Sequence, residues 1–573
     1  MKFMTNRTPG RCLLIVAVFA MTCSESSFAQ APKGAIKGDD PPPALTYHGL
    51  VPGLSKSDEV YTKLGKPTFE AAWYSWKMLY PAAGRPGLED EVQLSDKDGI
   101  YASTEAASVP AGFEEMKLVR EKLGREEYEL RMPTFRLLDY TAQGVRFVFN
   151  KEGKTIGVAY VPHLNARVHG GARKLVDLSG LKEGPQPAPD AVADWKGLTC
   201  GATTVNITPK SPEWIDPRYR EKYQPHDPIF ARIVVFEKDG LAIALVGADL
   251  FGMSNVECTA LQEKAKKLGL AHVVLASSHN HAAPDTLGVY GHYPMEYNQF
   301  LIDSIAEGAS RALKNRKPVK MLRTASRELP MDGARVIGYF RNARNPGIID
   351  PTISAIQAIG PNDKPIATIV NFACHVEGIS AGVEELTADF PGYMCEQIAS
   401  KQGGVAVFLN GAVGGMVSGD NKARTHDEAK VMGEGLAKIV QDLLSTAQPP
   451  TTFQFQFVHR RVELPITNLR LRDRVKDRRP TTRGRVVTEM SLLRLGEAEI
   501  ITLPGEVLPE VSFEILEKMT GFPRILVGLA NDQLGYIIPP YDFRDGEYEE
   551  SMSVGPATAP VIQETAWRLL QEK

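Results

Sequence analysis

From Gly201 onward, short apolar runs with the length and residue content of buried strands alternate with longer stretches of helical period. Residues 233–236, 242–246, 273–276, 366–373, 405–409, 498–503 and 524–529 read as strands, and 256–268 and 297–314 read as helices between them. A chain patterned this way folds as an α/β domain, a mixed sheet with helices packed on it. Sheets of that kind build their sites outside the carboxyl ends of their strands. The residues that terminate the apolar runs are therefore where chemistry should be sought.

Several of those terminal residues can do chemistry. The run 273–276 leads into Ser278-His279-Asn280-His281, with Pro284 ending regular structure shortly after. In extended backbone, residues i and i+2 face the same way, so both imidazoles can enter one site. The run 366–373 ends in Cys374-His375, the run 498–503 in Pro504-Gly505-Glu506, and the run 524–529 leads to Gly535-Tyr536. The run 242–246 ends at Asp249. Two histidines and a glutamate with a fourth oxygen or nitrogen donor make a hydrolytic zinc set. Each residue also has a plain structural role open to it: His375 as a satisfied core histidine, Glu506 as the acid at a helix start, Tyr536 as a packed ring with a bonded hydroxyl. Cys374, next to His375, should face the other side of the strand as a buried apolar filler. The glycine-rich turn Phe408-Leu-Asn-Gly-Ala-Val-Gly414-Gly415 can bring backbone N–H groups close to a substrate.

At 573 residues with 43% hydrophobic content, the chain is long enough for two or three domains with real cores. Its net charge of −3, with no long run of one sign, gives no basis for binding nucleic acid or for a polybasic membrane anchor. Lys2, Arg7 and Arg11 precede an apolar core over residues 13–21, and Ser27-Phe28-Ala29 reads as a signal-peptidase site. Residues 1–29 are thus expected to be a signal peptide, and the remainder to be exported to the periplasm, cell surface or medium. Met21-Thr22 before Cys23 is a poor lipoprotein signal. Cys200, Cys258, Cys374 and Cys395 remain after that segment, too few for a disulfide scaffold in a chain of this size.

Residues 30–195 differ in character and are expected to form a small accessory α+β domain. Proline-rich runs at 41–43 and 184–190 bracket it. Residues 52–67 predict a short helix with a serine cap, a terminal Gly65 and a stop at Pro67, and residues 145–161 predict a β-hairpin. That arrangement loosely resembles the small periplasmic domains related to outer-membrane assembly lipoproteins. His163 and His169 read here as surface or packed residues rather than ligands.

From about residue 200 to 573 the chain resembles the neutral/alkaline, non-lysosomal ceramidases. The resemblance rests on the ordered blocks Gly201-Ala-Thr-Thr-Val-Asn-Ile-Thr-Pro209, Asp227-Pro-Ile-Phe-Ala-Arg232, Ser278-His-Asn-His-Ala-Ala-Pro284, Asn371-Phe-Ala-Cys-His375, Asp389-Phe-Pro-Gly392, Asn410-Gly-Ala-Val-Gly414, Pro504-Gly-Glu506 and Gly535-Tyr536. It implies that residues 196–573 form a zinc hydrolase domain in which His279, His375, Glu506 and Tyr536 bind one Zn²⁺. It implies also that His281 lies beside the metal as a hydrogen-bonding catalytic group. In the family the glycine-rich loop continues Gly-Asp-x-Ser-Pro with the serine at the active site; here it reads Gly414-Gly-Met-Val-Ser418-Gly419, which displaces the serine by one position. The classical members carry an immunoglobulin-like C-terminal domain, where this chain has an amphipathic helix over 565–571. The implied reaction is hydrolysis of the N-acyl bond of a ceramide-like lipid to a fatty acid and a sphingoid base, with peripheral contact to a membrane that holds the substrate. Zinc would lower the pKa of a bound water towards about 7 and polarise the amide carbonyl. The alternatives are a zinc hydrolase of another amide or ester, or a non-catalytic envelope binding protein on the same fold.

Overall fold

The computed structural model describes residues 45–572 apart from 73–75, 96–98, 163–174, 181–194, 196, 216–223, 290–291, 337, 380–384, 448, 451, 469–470, 472–480, 483 and 545. The expected signal peptide, the two proline-rich runs, His163 and His169 lie outside the described residues.

The first unit along the chain is a nine-stranded sheet. Its order is Phe69–Ala72, Trp76–Pro81, Glu89–Leu94, Tyr101–Ala106, Thr155–Tyr160, Val145–Asn150, Phe135–Tyr140, Tyr128–Arg131 and Val176–Asp177. Every pairing is antiparallel except that of the last strand. The expected 145–161 hairpin is the pair Val145–Asn150 and Thr155–Tyr160. Alternation divides its side chains: Val145, Phe147 and Phe149 pack under the helices Ser57–Leu64 and Met116–Leu123, while Val148 joins the core of the rest of the protein. The first of those helices differs from expectation at its start. Lys56 occupies the N-cap position, paired with Ile100 in a β-bridge, and no side chain caps the helix. Ser55 instead accepts from Val51 N and donates to Glu59.

The remainder is a layered α/β structure. A five-stranded sheet runs in the order His272–Ser277, Leu241–Ala248, Phe230–Lys238, Thr199–Asn206, Lys317–Pro318. A four-stranded sheet runs Met321–Glu328, Thr352–Ile359, Pro365–Phe372, Val405–Asn410. Ile233 and Val235 pack against the helices Asn255–Lys267 and Met295–Lys314, whereas Val234 and Phe236 meet Ile369, Val407 and Leu409 of the second sheet. Val370, Phe372, Ala406 and Phe408 emerge on its far face under the helices Asp389–Gln402 and His426–Thr446. The result is helices, sheet, sheet, helices, with each central strand buried on both sides. That is why these strands read as continuous apolar runs. A third sheet, Phe455–Pro465, Arg485–Leu495, Ala498–Thr502, Arg524–Val527, extends both cores through Ile500 and Ile501.

Among the described residues of these three sheets, one pair in each is parallel: Leu241–Ala248 with His272–Ser277, Pro365–Phe372 with Val405–Asn410, and Ala498–Thr502 with Arg524–Val527. The strand ends that carry the candidate residues therefore come from three sheets rather than from one.

The nine-stranded sheet is keyed to the layered part by buried charges. Glu91 accepts from Lys77 at 2.8 Å, Arg335 at 2.8 Å and Arg341 at 2.6 Å, and Lys77 also reaches Asp420 at 3.3 Å. Burial alone would raise the Glu91 carboxyl, but the three cations hold it below the usual range. Glu105, 3.3 Å from Arg341, goes the other way: burial pushes it up to about 7, against the pull of Arg341 and with the push of Glu91. A carboxyl that binds its proton more tightly when folded contributes stability below its ordinary 4.5, and that contribution is lost as pH rises to about 7. Glu105→Gln, which cannot ionise, should therefore gain on the wild type between pH 5 and pH 8 in denaturant midpoint. Equal pH dependences would show that Glu105 does not titrate there.

Candidate metal centre

The four strand-end residues expected to meet do meet. His279 Nε2 lies 3.4 Å and His375 Nε2 3.2 Å from the same carboxylate oxygen, Glu506 Oε2. Tyr536 pairs in register with Glu506, and its hydroxyl donates to Met416 Sδ at 3.3 Å. All four are buried. The His281 ring stands 4.7 Å from that of His279 and 5.7 Å from that of His375, and its buried Nε2 has no hydrogen-bond partner.

Carbonyls set the orientation of the imidazoles. Phe251 O lies 2.9 Å from His279 Nδ1, and Val417 O lies 3.1 Å from His375 Nδ1. A carbonyl can only accept, so each Nδ1 carries the hydrogen and each Nε2 turns its lone pair inward, the usual outer-shell arrangement of a metal-bound histidine. Gln533 Nε2 donates to the other oxygen of Glu506 at 3.0 Å. Two nitrogen lone pairs and a carboxylate oxygen facing one another in a buried space call for positive charge, either a ring proton or a metal ion. The donor set suits Zn²⁺. The ligand atoms of His279, His281 and His375 lie within 4.8 Å of one another, so the third ring also borders that space.

The surroundings move the titrations in the same sense. Burial would raise Glu506, but His279 and His375 hold it well below the ordinary carboxylate range. Burial, followed by the Glu506 charge, pushes Tyr536 well above its ordinary value. Burial and the neighbouring His279 push His281 down to about 3, so it is a neutral base at physiological pH.

The way the His-x-His pair converges differs from the expected alternation. The strand ends at Ser277, and His279 takes a left-handed backbone with φ 64°. Asn280 then forms a parallel bridge with Val376, and His281 N donates to Val376 O at 2.9 Å. The pair is aimed by a strained turn locked onto the segment after His375, not by strand pleat; strain of this kind persists only where neighbours over-determine it. Asn410 supplies much of that fixing, because its amide donates to Ser278 O and Cys374 O and accepts from Cys374 N. Gly414 allows close approach on the other side: a Cβ there would lie 2.6 Å from Glu506 O, and Gly414 N donates to Val507 O.

Ser418 stands near Glu377 and lowers its carboxyl, rather than meeting a metal-site ligand. Glu377 is buried, sits 3.6 Å from Arg424, and is held down to about 2 by Arg424, His281 and His375 against the effect of burial. Glu377 and Arg424 escaped the reading of the sequence, as did Gln533. Glu377 had one signal available, a carboxylate two residues beyond His375 in the same segment. Ser418 lies on the short strand Val417–Gly419, opposite Arg341. Since Arg341 also contacts Glu91 and Glu105, the nine-stranded sheet is tied directly to the strand that carries Ser418.

Asp249 is spent elsewhere. It ion-pairs with Arg232 at 2.7 Å and accepts from Phe230 N. Cys374 is buried in the apolar core, as expected, and all four cysteines in the described residues are free. Asp227 and Asp389 shape the loop after His375: Asp227 accepts from Ala388 N, and Asp389 accepts from Ile379 N. A cavity of about 1070 Å³ touches Asn371, Ala373 and Gly411 but is lined by none of the metal-centre residues.

No protein-family model matches the chain, and no curated protein sequence matches it. Solved structures do. The neutral ceramidase from Pseudomonas aeruginosa superposes with a TM-score of 0.54 at 18% identity, over 66% of this chain and 74% of that one. A ceramidase complexed with C2 gives a TM-score of 0.53 at 18% identity, over 65% and 75%. The chain therefore has a ceramidase-like fold, in keeping with the resemblance carried by its sequence blocks.

Proposed function

We propose that the protein is an exported, zinc-dependent amidohydrolase that cleaves the N-acyl bond of ceramide-like lipids. The observation that carries this reading is the convergence of His279, His375, Glu506 and Tyr536 from three sheets, beside an unpartnered His281 Nε2, on a ceramidase-like fold.

His279, His375, Glu506 and Tyr536 would hold the zinc, with Phe251 O, Val417 O and Gln533 fixing three of them from behind. Bound there, zinc supplies Lewis acidity toward a carbonyl and toward water. Neutral His281 accepts a proton from the attacking water and returns it to the leaving nitrogen, so the sphingoid amine departs uncharged or protonated rather than as an amide anion. Glu377, between His281 and Arg424, stabilises the imidazolium that forms in passing. Ser418 helps keep Glu377 ionised. A mature chain beginning near residue 30 matches a lipid substrate outside the cytoplasm, and no helix in the described residues is long and apolar enough to cross a membrane.

A binding-only role on the same fold would leave these side chains free to scatter or to be plugged by neighbours, and their convergence favours catalysis. The test is incubation of zinc-loaded and chelator-stripped protein with ceramides of several acyl lengths, alongside simple esters and other N-acyl amides. Ceramide cleavage that vanishes on stripping and returns with zinc is expected. Cleavage of esters alone would reject the amidase reading, and undiminished turnover after stripping would reject the metal.

A further inference from the structure

We propose that His272, His459 and Glu489 form a second divalent-cation site, separate from the metal centre and suited to Zn²⁺. His272 opens the strand whose other end leads to His279, and that strand is about 17 Å long at the usual rise, so the two sites share no ligand. His459 lies on Phe455–Pro465, at the edge of its sheet, and Glu489 on the neighbouring Arg485–Leu495.

The polar atoms of the cluster leave a place for positive charge. Glu489 Oε1 lies 2.9 Å from His272 Nε2, and Glu489 Oε2 lies 3.2 Å from His459 Nδ1. Gln262 is fixed by the backbone of Val273, its Oε1 accepting from Val273 N and its Nε2 donating to Val273 O. Its remaining amide hydrogen therefore turns toward His272 Nε2, 3.0 Å away. Asn531 is fixed likewise, with Oδ1 accepting from Leu275 N and Nδ2 donating to Glu489 Oε1 at 3.0 Å. With both amides committed as donors, neither neutral tautomer of His272 serves both neighbours: a proton on Nε2 suits Glu489 but opposes the Gln262 amide, and a lone pair there suits Gln262 but faces the carboxylate, where a bound cation would take up both the lone pair and the negative charge. His272 is 7% exposed, so the mismatch is not relieved by water on that side.

The geometry fits a metal. The three ligand atoms lie within 4.8 Å of one another, against a donor separation of about 3.3 Å around tetrahedral zinc. The His459 side chain is 53% exposed, so it can rotate to close the difference and leave a fourth position open to solvent. Two imidazoles and one carboxylate favour zinc, copper or nickel over magnesium or calcium. A cation here would also hold Asn531, two residues before the Gln533 that donates to Glu506.

The test is metal content of the full-length chain after stripping, titration with Zn²⁺ alone and desalting, together with calorimetry. Wild type should bind two equivalents. His459→Ala and Glu489→Gln should each bind one, and the His279→Ala, His375→Ala double variant should bind one that disappears when His459→Ala is added. His459 is exposed at a sheet edge and Gln keeps the shape of Glu489, so folding is expected to survive, with circular dichroism as the control. One equivalent in wild type that vanishes in the double variant would overturn the proposal and leave the cluster as a proton-bridged ion pair. Two equivalents retained in both His459→Ala and Glu489→Gln would overturn it as well.

Discussion

Replacing His279 and His375 together with alanine should remove one equivalent of zinc and lower turnover by about 10⁴-fold or more, the rate equivalent of roughly 5–6 kcal/mol. The size of the effect follows from the way the four side chains share one buried space. His279 and His375 are the two groups that hold Glu506 ionised against burial, so their loss leaves a buried carboxylate without a counter-charge as well as a metal without two ligands. Either single variant should already weaken zinc binding, because three remaining donors cannot close a tetrahedral set without water. Neither should unfold the protein: the residues sit past the ends of strands whose cores are apolar and complete without them. Metal analysis and turnover on the same preparations check this, with near-ultraviolet circular dichroism reporting the fold. The equivalent expected at His272, His459 and Glu489 is told apart by its loss in His459→Ala. If the chain lacking both His279 and His375 kept the wild-type complement of zinc, the assignment of the metal centre would fail.

Much of this centre could be read in the chain because strand burial and strand termination are local properties. Residues 273–276 are apolar without interruption, and 366–373 and 498–503 are mostly apolar, broken only at Thr368, Asn371, Glu499 and Thr502, because each run is covered on both faces; a histidine or glutamate after such a run has left the core. His279, His375, Glu506 and Tyr536 were visible for that reason, and the ceramidase-like sequence blocks ordered them into one set. The partition into sheets was not visible. Parallel and antiparallel neighbours both bury apolar runs, and only pairing at long range shows that one parallel pair per sheet points its ends at the site. The turn at His279 was hidden too, since its left-handed backbone depends on Val376, nearly a hundred residues away. Arg424, an arginine in a loop, carries no local mark, and the one mark Glu377 carries, its place two residues after His375, does not tell a buried carboxylate from a surface one; their roles come from burial near His281. Asp249 had the same strand-end signature as the others and proved to be a counter-ion for Arg232. The nine-stranded sheet, expected to stand apart from the chemistry, reaches it through Arg341 and Ser418, a contact that arises only when 91, 105, 341 and 418 are brought together.

His281→Ala should retain the metal-centre zinc and lose turnover by about 10²–10⁴-fold, the usual contribution of a positioned acid/base group. The distinction from His279 rests on what each ring touches. His279 has its Nδ1 held by a carbonyl and its Nε2 turned onto Glu506. His281 approaches the same space with a buried Nε2 that has no hydrogen-bond partner, and of the two carboxylates Glu377 acts on it more strongly than Glu506. Burial and His279 keep it neutral down to about pH 3, so at neutral pH it can take a proton but holds none to give until one has been delivered. The lost activity should therefore be partly restored by added imidazole, which replaces the base without replacing a ligand, and KM should change less than kcat. His281→Gln, which keeps a hydrogen-bonding group but cannot shuttle a proton, should be as slow as the alanine variant. Zinc lost from His281→Ala and kept in His279→Ala would exchange the two roles. Zinc lost from both would make the pair a two-nitrogen clamp, with the proton carried by Glu377 instead.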